Sequence, residues 1–220
     1  MKKTKIDWCD CTINPVVGCK NGCEYCYAKV MNKRFKFIPC WEEPQFFPEK
    51  LKQLNSKKPK SIFMDSMSDI GWWEREWIDK VFNAIKQNKQ HNYIFLSKCG
   101  NGYIGDRESH DLLNCWFGFS LVRQRQIIDI LNKTYFDFLS IEPLLGPLDL
   151  SQLKIRQIKL IIIGAETGNR KNKVIPKKEW IDNIVKFCNE NKIKVFMKES
   201  LREIMGNDFR QDKLLWQIGE

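Results

Sequence analysis

The chain has 220 residues, of which 43% are hydrophobic and 29% are charged, a balance that is ordinary for a soluble globular protein. The longest apolar run, residues 160–165, is far shorter than the roughly 18 residues of a membrane helix, which excludes a helical membrane protein. The formal net charge of +10 indicates either a polyanionic partner, with nucleic acid first, or only a lysine-rich proteome.

Short apolar runs alternate with amphipathic stretches along the whole chain, which predicts β/α units around a parallel sheet. A first strand is expected at residues 7–12, before a cysteine-rich loop and a helix at residues 28–34. The other predicted strands are residues 61–66, 92–97, 115–120, 136–141, 159–163 and 194–197. They are continuous apolar runs, as burial on both faces of a sheet produces.

The remaining predicted helices follow from apolar residues at helical spacing. Apolar side chains recur every four positions from Trp73 to Ile85, and a second such face runs from Trp180 to Cys188. A shorter face lies at residues 127–131, and a short helix is expected at residues 49–54.

The number of units decides the predicted fold class. Six or seven β/α units in 220 residues fall short of the eight-unit barrel, for which about 250 residues are typical. The sequence therefore predicts an α/β protein that forms a partial, open parallel β/α barrel. Since no linker or low-complexity segment is visible, a single domain over residues 1–220 is expected.

Three cysteines near the N-terminus carry the strongest functional signal. Cys19, Cys23 and Cys26 have the spacing C-x3-C-x2-C on one short loop. Three thiolates on such a loop can hold three irons of a four-iron four-sulfur cluster and leave the fourth iron without a protein ligand. An open iron is what a cluster needs to bind and cleave S-adenosylmethionine, so both are the predicted cofactors.

Other uses of these cysteines remain open. Electron-transfer ferredoxins usually need a fourth cysteine, and a zinc site would need a distant fourth ligand besides Cys19, Cys23 and Cys26. An auxiliary cluster on Cys9, Cys11 and Cys40 lacks a compact motif. A disulfide framework is disfavoured because nine is an odd number and no signal peptide is visible, so a reducing cytoplasm is expected.

Polar residues follow the predicted strands at their C-terminal ends, where the loops of a parallel barrel converge. These residues are Ser66, Ser68, Asp69, Lys98, Ser120, Glu142, Glu166 and Lys198. Structural alternatives exist for several of them. Ser66 and Ser68 could cap the next helix. Glu142 could instead form a buried ion pair with Lys98 or Lys198.

Several blocks together resemble a phage- and prophage-associated family of radical S-adenosylmethionine-like proteins of undefined function. The blocks are residues 5–8, 14–19, 66–69, 140–147 and 164–168. The resemblance runs from about Lys5 to Gly206, although Cys9 and Cys11 stand where the family more often has small or hydroxyl residues. It implies a cluster, S-adenosylmethionine and a barrel, but no known substrate.

The resemblance also implies roles for individual residues. The loop after the second strand of such proteins meets the methionine amino group, which favours Asp69, and a glycine-rich turn at Gly164 would let adenine approach the backbone. The predicted cofactor-binding residues are Tyr25, Ser66, Ser68, Asp69, Ser120, Gly164 and Glu166. The candidate catalytic residues are Glu142, Glu166, Lys98 and Lys198.

The sequence thus predicts a cytoplasmic radical S-adenosylmethionine enzyme with an external flavodoxin- or ferredoxin-like electron donor and an unidentified substrate, with nucleic acid or a nucleotide as one candidate. The alternative is a nucleic-acid-binding protein with a structural iron–sulfur or zinc site. That alternative is favoured by the positive charge of the chain and by three tryptophans that look exposed in the sequence, Trp72, Trp73 and Trp116. The carboxylates at the strand ends oppose it because they would repel phosphate.

Overall fold

The structure is a computed structural model that describes residues 4–99, 112–127, 136–153, 158–168 and 170–217. Its strands are β1 (Cys11–Thr12), β2 (Val16–Val17), β3 (Gln45–Phe46), β4 (Ser61–Phe63), β5 (Asn92–Ser97), β6 (Cys115–Ser120), β7 (Phe138–Ile141), β8 (Leu160–Ile163) and β9 (Lys194–Met197). Its α-helices are α1 (Tyr27–Phe35), α2 (Arg75–Lys86), α3 (Lys178–Glu190) and α4 (Arg202–Met205).

Seven strands form one sheet in the order β1-β4-β5-β6-β7-β8-β9. Pairing is parallel between β1 and β4, between β4 and β5, and throughout the run from β6 to β9. The short strands β2 and β3 pair with each other in antiparallel fashion. The predicted α/β class with an open parallel sheet is therefore confirmed, whereas a barrel of the radical S-adenosylmethionine type stays a prediction.

Several predicted elements differ in extent from those observed. The second predicted strand, residues 61–66, ends at Phe63, because the chain turns there and Ser68 N donates to Asp65 O at 3.2 Å. The short helix expected at residues 49–54 is a 3₁₀ helix, Pro48–Asn55. Most of the helix expected near residues 127–131 lies outside the described residues.

The chain divides into two compact units, one formed by Met1–Phe117 with Trp216–Glu220 and the other by Gly118–Leu215. The prediction of one domain stays a prediction. In the first unit, Trp216 Nε1 donates to the Trp8 carbonyl at 2.6 Å, and both indole rings are buried. Helix α2 packs through Phe82 against Phe95 of β5.

The second unit is built on the run of strands that ends with β9. All four residues of β8 are fully buried, which explains why that strand is continuously apolar. Helix α3 buries Ile181, Ile184 and Cys188, the helical spacing that the sequence predicted. Across the described parts of the chain, every helix is too short or too polar to cross a membrane.

Candidate functional site

The cysteine loop connects β2 to α1, and backbone hydrogen bonds hold its first residues. Gly18 N donates to Met67 O at 3.0 Å, and Cys19 N donates to Trp41 O at 2.8 Å. Gly18 has φ +111°, and a Cβ there would lie 2.8 Å from Pro44 Cα. The loop therefore requires glycine at this position, both for its conformation and for the close approach of the backbone.

Cys26 is the N-cap of α1. Its Sγ accepts a hydrogen bond from Lys29 N at 3.3 Å, and its own N–H donates to Cys23 O at 3.2 Å. The N-terminus of a helix favours negative charge, because its first N–H groups lack partners within the helix. The third predicted ligand thus lies beside backbone N–H groups that favour negative charge, such as that of a bound anionic cluster.

The three predicted ligands, Cys19, Cys23 and Cys26, are free thiols of intermediate burial. Cys19 and Cys26 pack against an apolar cluster formed by Val17, Ala28, Ile38, Trp41 and Met67. Burial raises the pKa of Cys19 to about 12 and also raises the pKa of Cys26. The thiols of Cys19 and Cys26 therefore stay protonated at neutral pH, and would lose their protons only on binding a metal.

The donor set matches the chemistry of an iron–sulfur cluster, since cysteine thiolates are its usual ligands and three of them share one loop. No histidine lies in the Cys19–Cys26 loop. Within the described residues, no three or more His, Cys, Asp or Glu side chains are grouped to hold a single metal ion.

Asp69 joins the cysteine loop to the end of β5. Its Oδ1 accepts hydrogen bonds from Ser97 Oγ at 2.7 Å and Gly71 N at 3.0 Å. Its Oδ2 accepts from Asn21 Nδ2 at 2.6 Å and Lys98 N at 2.8 Å. With the Cys99 thiol, which lies 3.4 Å from Oδ1, these donors fill the roughly four acceptor sites of a carboxylate, so the buried side chain positions the loop. A direct contact between Asp69 and the cofactor stays a prediction.

Asn21 was not singled out from the sequence, although it lies between two of the predicted ligands. Its Oδ1 accepts from Trp72 Nε1 at 2.6 Å, while its Nδ2 donates to Asp69. Its backbone N–H also approaches Cys19 Sγ, at 3.5 Å. The only signal in the sequence was its position within the motif, because the Trp72 and Asp69 partners are about 50 residues away.

The predicted serines after β4 are held by neighbouring side chains. Ser66 Oγ donates to Asn14 Oδ1 at 3.0 Å, and the Ser66 carbonyl accepts from Tyr27 Oη at 2.7 Å. Ser68 Oγ accepts from Trp73 Nε1 at 3.1 Å. Neither hydroxyl caps the following helices, so the capping alternative is wrong.

Tyr25 and Lys98 come together beside the cysteine loop. Lys98 Nζ lies 6.0 Å from the centroid of the Tyr25 ring, within range of a cation–π contact. Lys98 also donates its backbone N–H to Asp69. Both predicted residues thus belong to the surroundings of the candidate metal centre.

In the second unit, Glu142 forms an ion pair with Lys198. Glu142, Gly164 and Lys198 each directly follow the last residue of β7, β8 and β9, which are neighbours in the sheet. A Cβ on Gly164 would lie 3.0 Å from Lys198 Cδ and 3.2 Å from Glu142 Cγ. A side chain added at Gly164 would therefore press against the Glu142–Lys198 ion pair.

Glu166 is held by Arg170, a residue that was not singled out from the sequence. The two guanidinium contacts are Nε to Oε1 at 2.6 Å and Nη2 to Oε2 at 2.7 Å. The hydrogen bonds from Arg170 lower the pKa of Glu166, so this buried carboxyl is an anion at neutral pH. The cofactor and catalytic roles of Glu166, like those of Glu142 and Lys198, stay predictions.

Ser120 and Ser140 are directly paired in the register of β6 and β7. Both are fully buried, and neither hydroxyl has a hydrogen-bond partner among the described residues. A buried polar group left unsatisfied costs about 1–3 kcal/mol. Ser120 was predicted to contact the cofactor, and the register adds Ser140 as a second candidate for a polar contact with a ligand.

The sequence matches the model of a family described as "Protein of unknown function (DUF5131)" over residues 3–207, which is nearly the whole chain. The chain belongs to this family. No curated protein and no solved structure matches it. The description of DUF5131 states no activity.

The tryptophans of this DUF5131 protein are less exposed than the sequence indicated. Trp73 has 3% of its surface exposed and is therefore a core residue, contrary to the prediction. Trp72 and Trp116 are half-buried, and the indole N–H of Trp72 is engaged by Asn21. Trp73 is therefore excluded from stacking on nucleic-acid bases.

The buried carboxyl of Asp65, which lies near Asp69, should make the free energy of unfolding depend on pH. Burial and the neighbouring Asp69 raise the pKa of Asp65 well above its ordinary value of about 4. The folded state thus binds this proton more tightly than the unfolded state. The resulting stabilisation is present below the ordinary pKa and is lost as the pH rises towards the folded pKa.

We therefore expect the free energy of unfolding of the wild type, relative to Asp65→Asn, to fall as the pH rises from about 4 into the neutral range. Urea unfolding of both proteins across this range measures the difference. Glu203→Gln is the control, because Glu203 is exposed and should show no such trend. A difference between wild type and Asp65→Asn that is constant with pH would contradict the prediction.

Proposed function

We propose that this protein is a radical S-adenosylmethionine enzyme. The observation that carries the proposal is the C-x3-C-x2-C spacing of three free thiols, Cys19, Cys23 and Cys26, on one loop between β2 and the N-terminus of α1. The resemblance of the motif blocks to radical S-adenosylmethionine-like proteins supports it, and so does the open parallel sheet. The substrate is proposed only as a molecule with an abstractable hydrogen.

In this proposal, Cys19, Cys23 and Cys26 hold a four-iron four-sulfur cluster. When bound, such a cluster would supply the one-electron chemistry for reductive cleavage of S-adenosylmethionine and hydrogen abstraction from the substrate. The N-terminus of α1 stabilises the negative charge beside Cys26. The apolar cluster under Cys19 and Cys26 keeps water from that side of the loop.

The chain also fixes the conformation of the loop before any cofactor binds. Asn21 is held from two sides, by Trp72 and by the buried carboxylate of Asp69. Asp69 is in turn held by the end of β5. Such a supporting network keeps the ligand positions within the narrow limits that a reactive centre needs.

The second candidate function is nucleic-acid binding with a structural metal site. The observation that favours it is the net charge of +10, which gives attraction to phosphates without sequence specificity. The cysteine loop fits this function less well. A structural metal site would use four protein ligands, and the loop provides only three cysteines. We therefore place it second.

The deciding experiment adds S-adenosylmethionine to anaerobically reconstituted, reduced protein. We expect the electron paramagnetic resonance signal of the cluster to change, because the open iron gains ligands. With dithionite as reductant, 5′-deoxyadenosine should then accumulate slowly without substrate. Cys26→Ser protein treated identically is the control and should give no product. A well-formed cluster that does not respond to S-adenosylmethionine would favour the second candidate function.

A further inference from the structure

Helix α1 and the residues after it carry most of the exposed large hydrophobic side chains of the described chain. Seven such side chains are exposed, and five of them fall within residues 27–37. They are Tyr27, Val30, Met31, Phe35 and Phe37, with 38–65% of their surface exposed. These five residues are called the α1 patch below. Contiguous exposed apolar patches mark interaction sites more often than scattered apolar residues do.

The polarity of α1 is inverted relative to an ordinary surface helix. Its buried residues are Ala28 and Asn32, and the Asn32 amide is used inside, where it bonds the backbone N–H and carbonyl of Ile38 at 3.0 and 3.1 Å. Val30 and Met31 are exposed instead. Burial in the monomer therefore does not account for the apolar character of this face.

Basic side chains surround the α1 patch. Residues 27–37 include Lys29, Lys33, Arg34 and Lys36, and no acidic residue. Lys29 pairs with Glu42 at 2.5 Å, whereas no acidic side chain among the described residues pairs with Lys33, Arg34 or Lys36. An apolar centre with a basic rim is complementary to an acidic protein surface.

The position of the patch indicates what such a partner would do. Cys26, the third predicted cluster ligand, is the N-cap of α1, so Tyr27, Val30 and Met31 lie within about two helical turns of it. A protein docked on the α1 patch would lie next to the candidate metal centre. Nucleic acid is the competing occupant, because Tyr27, Phe35 and Phe37 offer exposed rings for base stacking, and binding of single-stranded DNA is therefore an outcome of the test below. A second copy is a poorer fit, because two basic rims repel each other.

We propose that the α1 patch is the docking surface for an acidic one-electron donor protein of the flavodoxin or ferredoxin class. This inference rests on the proposed function, since it assigns the route by which the cluster would be reduced. In the step, the reduced flavin or cluster of the donor loses one electron and the cluster of this chain gains it. No bond is formed or broken between the two proteins.

The test compares two charge-reversed proteins with a purified bacterial flavodoxin as the partner. Lys33→Glu/Arg34→Glu places acid in the rim of the patch. Lys57→Glu/Lys58→Glu makes the same charge change at two exposed lysines outside it. We expect the rim variant to weaken flavodoxin binding about tenfold or more, and the control to bind as the wild type does. The wild-type affinity should fall between about 50 mM and about 300 mM NaCl.

The apolar centre is tested separately with Phe35→Ser, and Ile175→Ser is its control because Ile175 is also exposed. Only Phe35→Ser should weaken binding. With reduced flavodoxin, 5′-deoxyadenosine formation by the rim variant and by Phe35→Ser should slow in parallel with binding. With dithionite, both should match the wild type, because this small reductant needs no docking surface.

Failure of this inference and failure of the proposed function give different results. If wild type forms no 5′-deoxyadenosine even with dithionite, the proposed function fails, while the affinity measurements still decide the docking surface. Equal flavodoxin affinity for all variants, or none for the wild type, would overturn the docking surface. The docking surface would also be overturned if substitutions in the α1 patch changed only self-association or the binding of single-stranded DNA.

Discussion

Serine substitution of Cys19, Cys23 or Cys26 should abolish the iron–sulfur cluster, whereas the wild type should hold about four irons per chain after anaerobic reconstitution. The hydroxyl of serine is a poor ligand for iron, and a cluster with only two protein ligands on this loop would lose its attachment. Iron and sulfide analysis, together with the broad brown absorbance, measure the effect. We expect each variant to lose most of its iron rather than a quarter of it.

The control for these variants is Cys188→Ala. Cys188 is fully buried in α3, where burial raises its pKa to about 12, so it is expected to serve only packing. Its substitution should lower stability but leave the iron content unchanged. Stoichiometric zinc without iron in the wild type would contradict the cluster, and so would iron loss in Cys188→Ala equal to that in the loop variants.

Gly18→Ala should also have a large effect, although the residue carries no functional group. The new Cβ would lie 2.8 Å from Pro44 Cα and 2.9 Å from Trp41 O, both backbone atoms that cannot move aside cheaply. The φ of +111° is also unfavourable for alanine. Together these effects predict a loss of about 2–5 kcal/mol in the free energy of unfolding. Urea unfolding measures the loss, and the iron content should fall with it because Cys19 follows directly.

Gly22→Ala provides the matched control within the same loop. Gly22 also has a positive φ, +64°, but a Cβ there would meet nothing within 4 Å. The backbone conformation alone then costs about 1–2 kcal/mol. A loss for Gly18→Ala no larger than that for Gly22→Ala would show that the packing around Gly18 yields easily, contrary to the prediction.

The sequence predicted the strands well where burial on both faces made them continuously apolar. β5, β6 and β9 have the predicted bounds. Strand β4 was predicted too long, because Met64 and Asp65 are also buried although they have left the strand. The pattern of apolar residues in a sequence indicates which residues are buried, not which ones pair in a sheet. Residues of an inward-packing loop can therefore stay buried after the strand's hydrogen bonds have ended.

The candidate site was predictable to the extent that it is local. Cys19, Cys23 and Cys26 are close in sequence, so their spacing alone indicates a shared ligand. The partners of the polar residues were not predictable in this way. Of two possible lysines, Glu142 pairs with Lys198, a choice set by the order of β7, β8 and β9 in the sheet.

The amino-acid sequence by itself determined the cysteine loop, the parallel α/β class and the excess of positive charge. These depend on composition, spacing and local periodicity, which neighbouring residues fix among themselves. Only the tertiary structure decided that Asp69 holds Asn21, that Gly164 lies against an ion pair, and that the apolar side of α1 faces outward. The physical reason is that each of these three features depends on which distant segments of the chain meet. Burial of apolar surface by the whole chain decides which segments meet, and local conformational preferences do not.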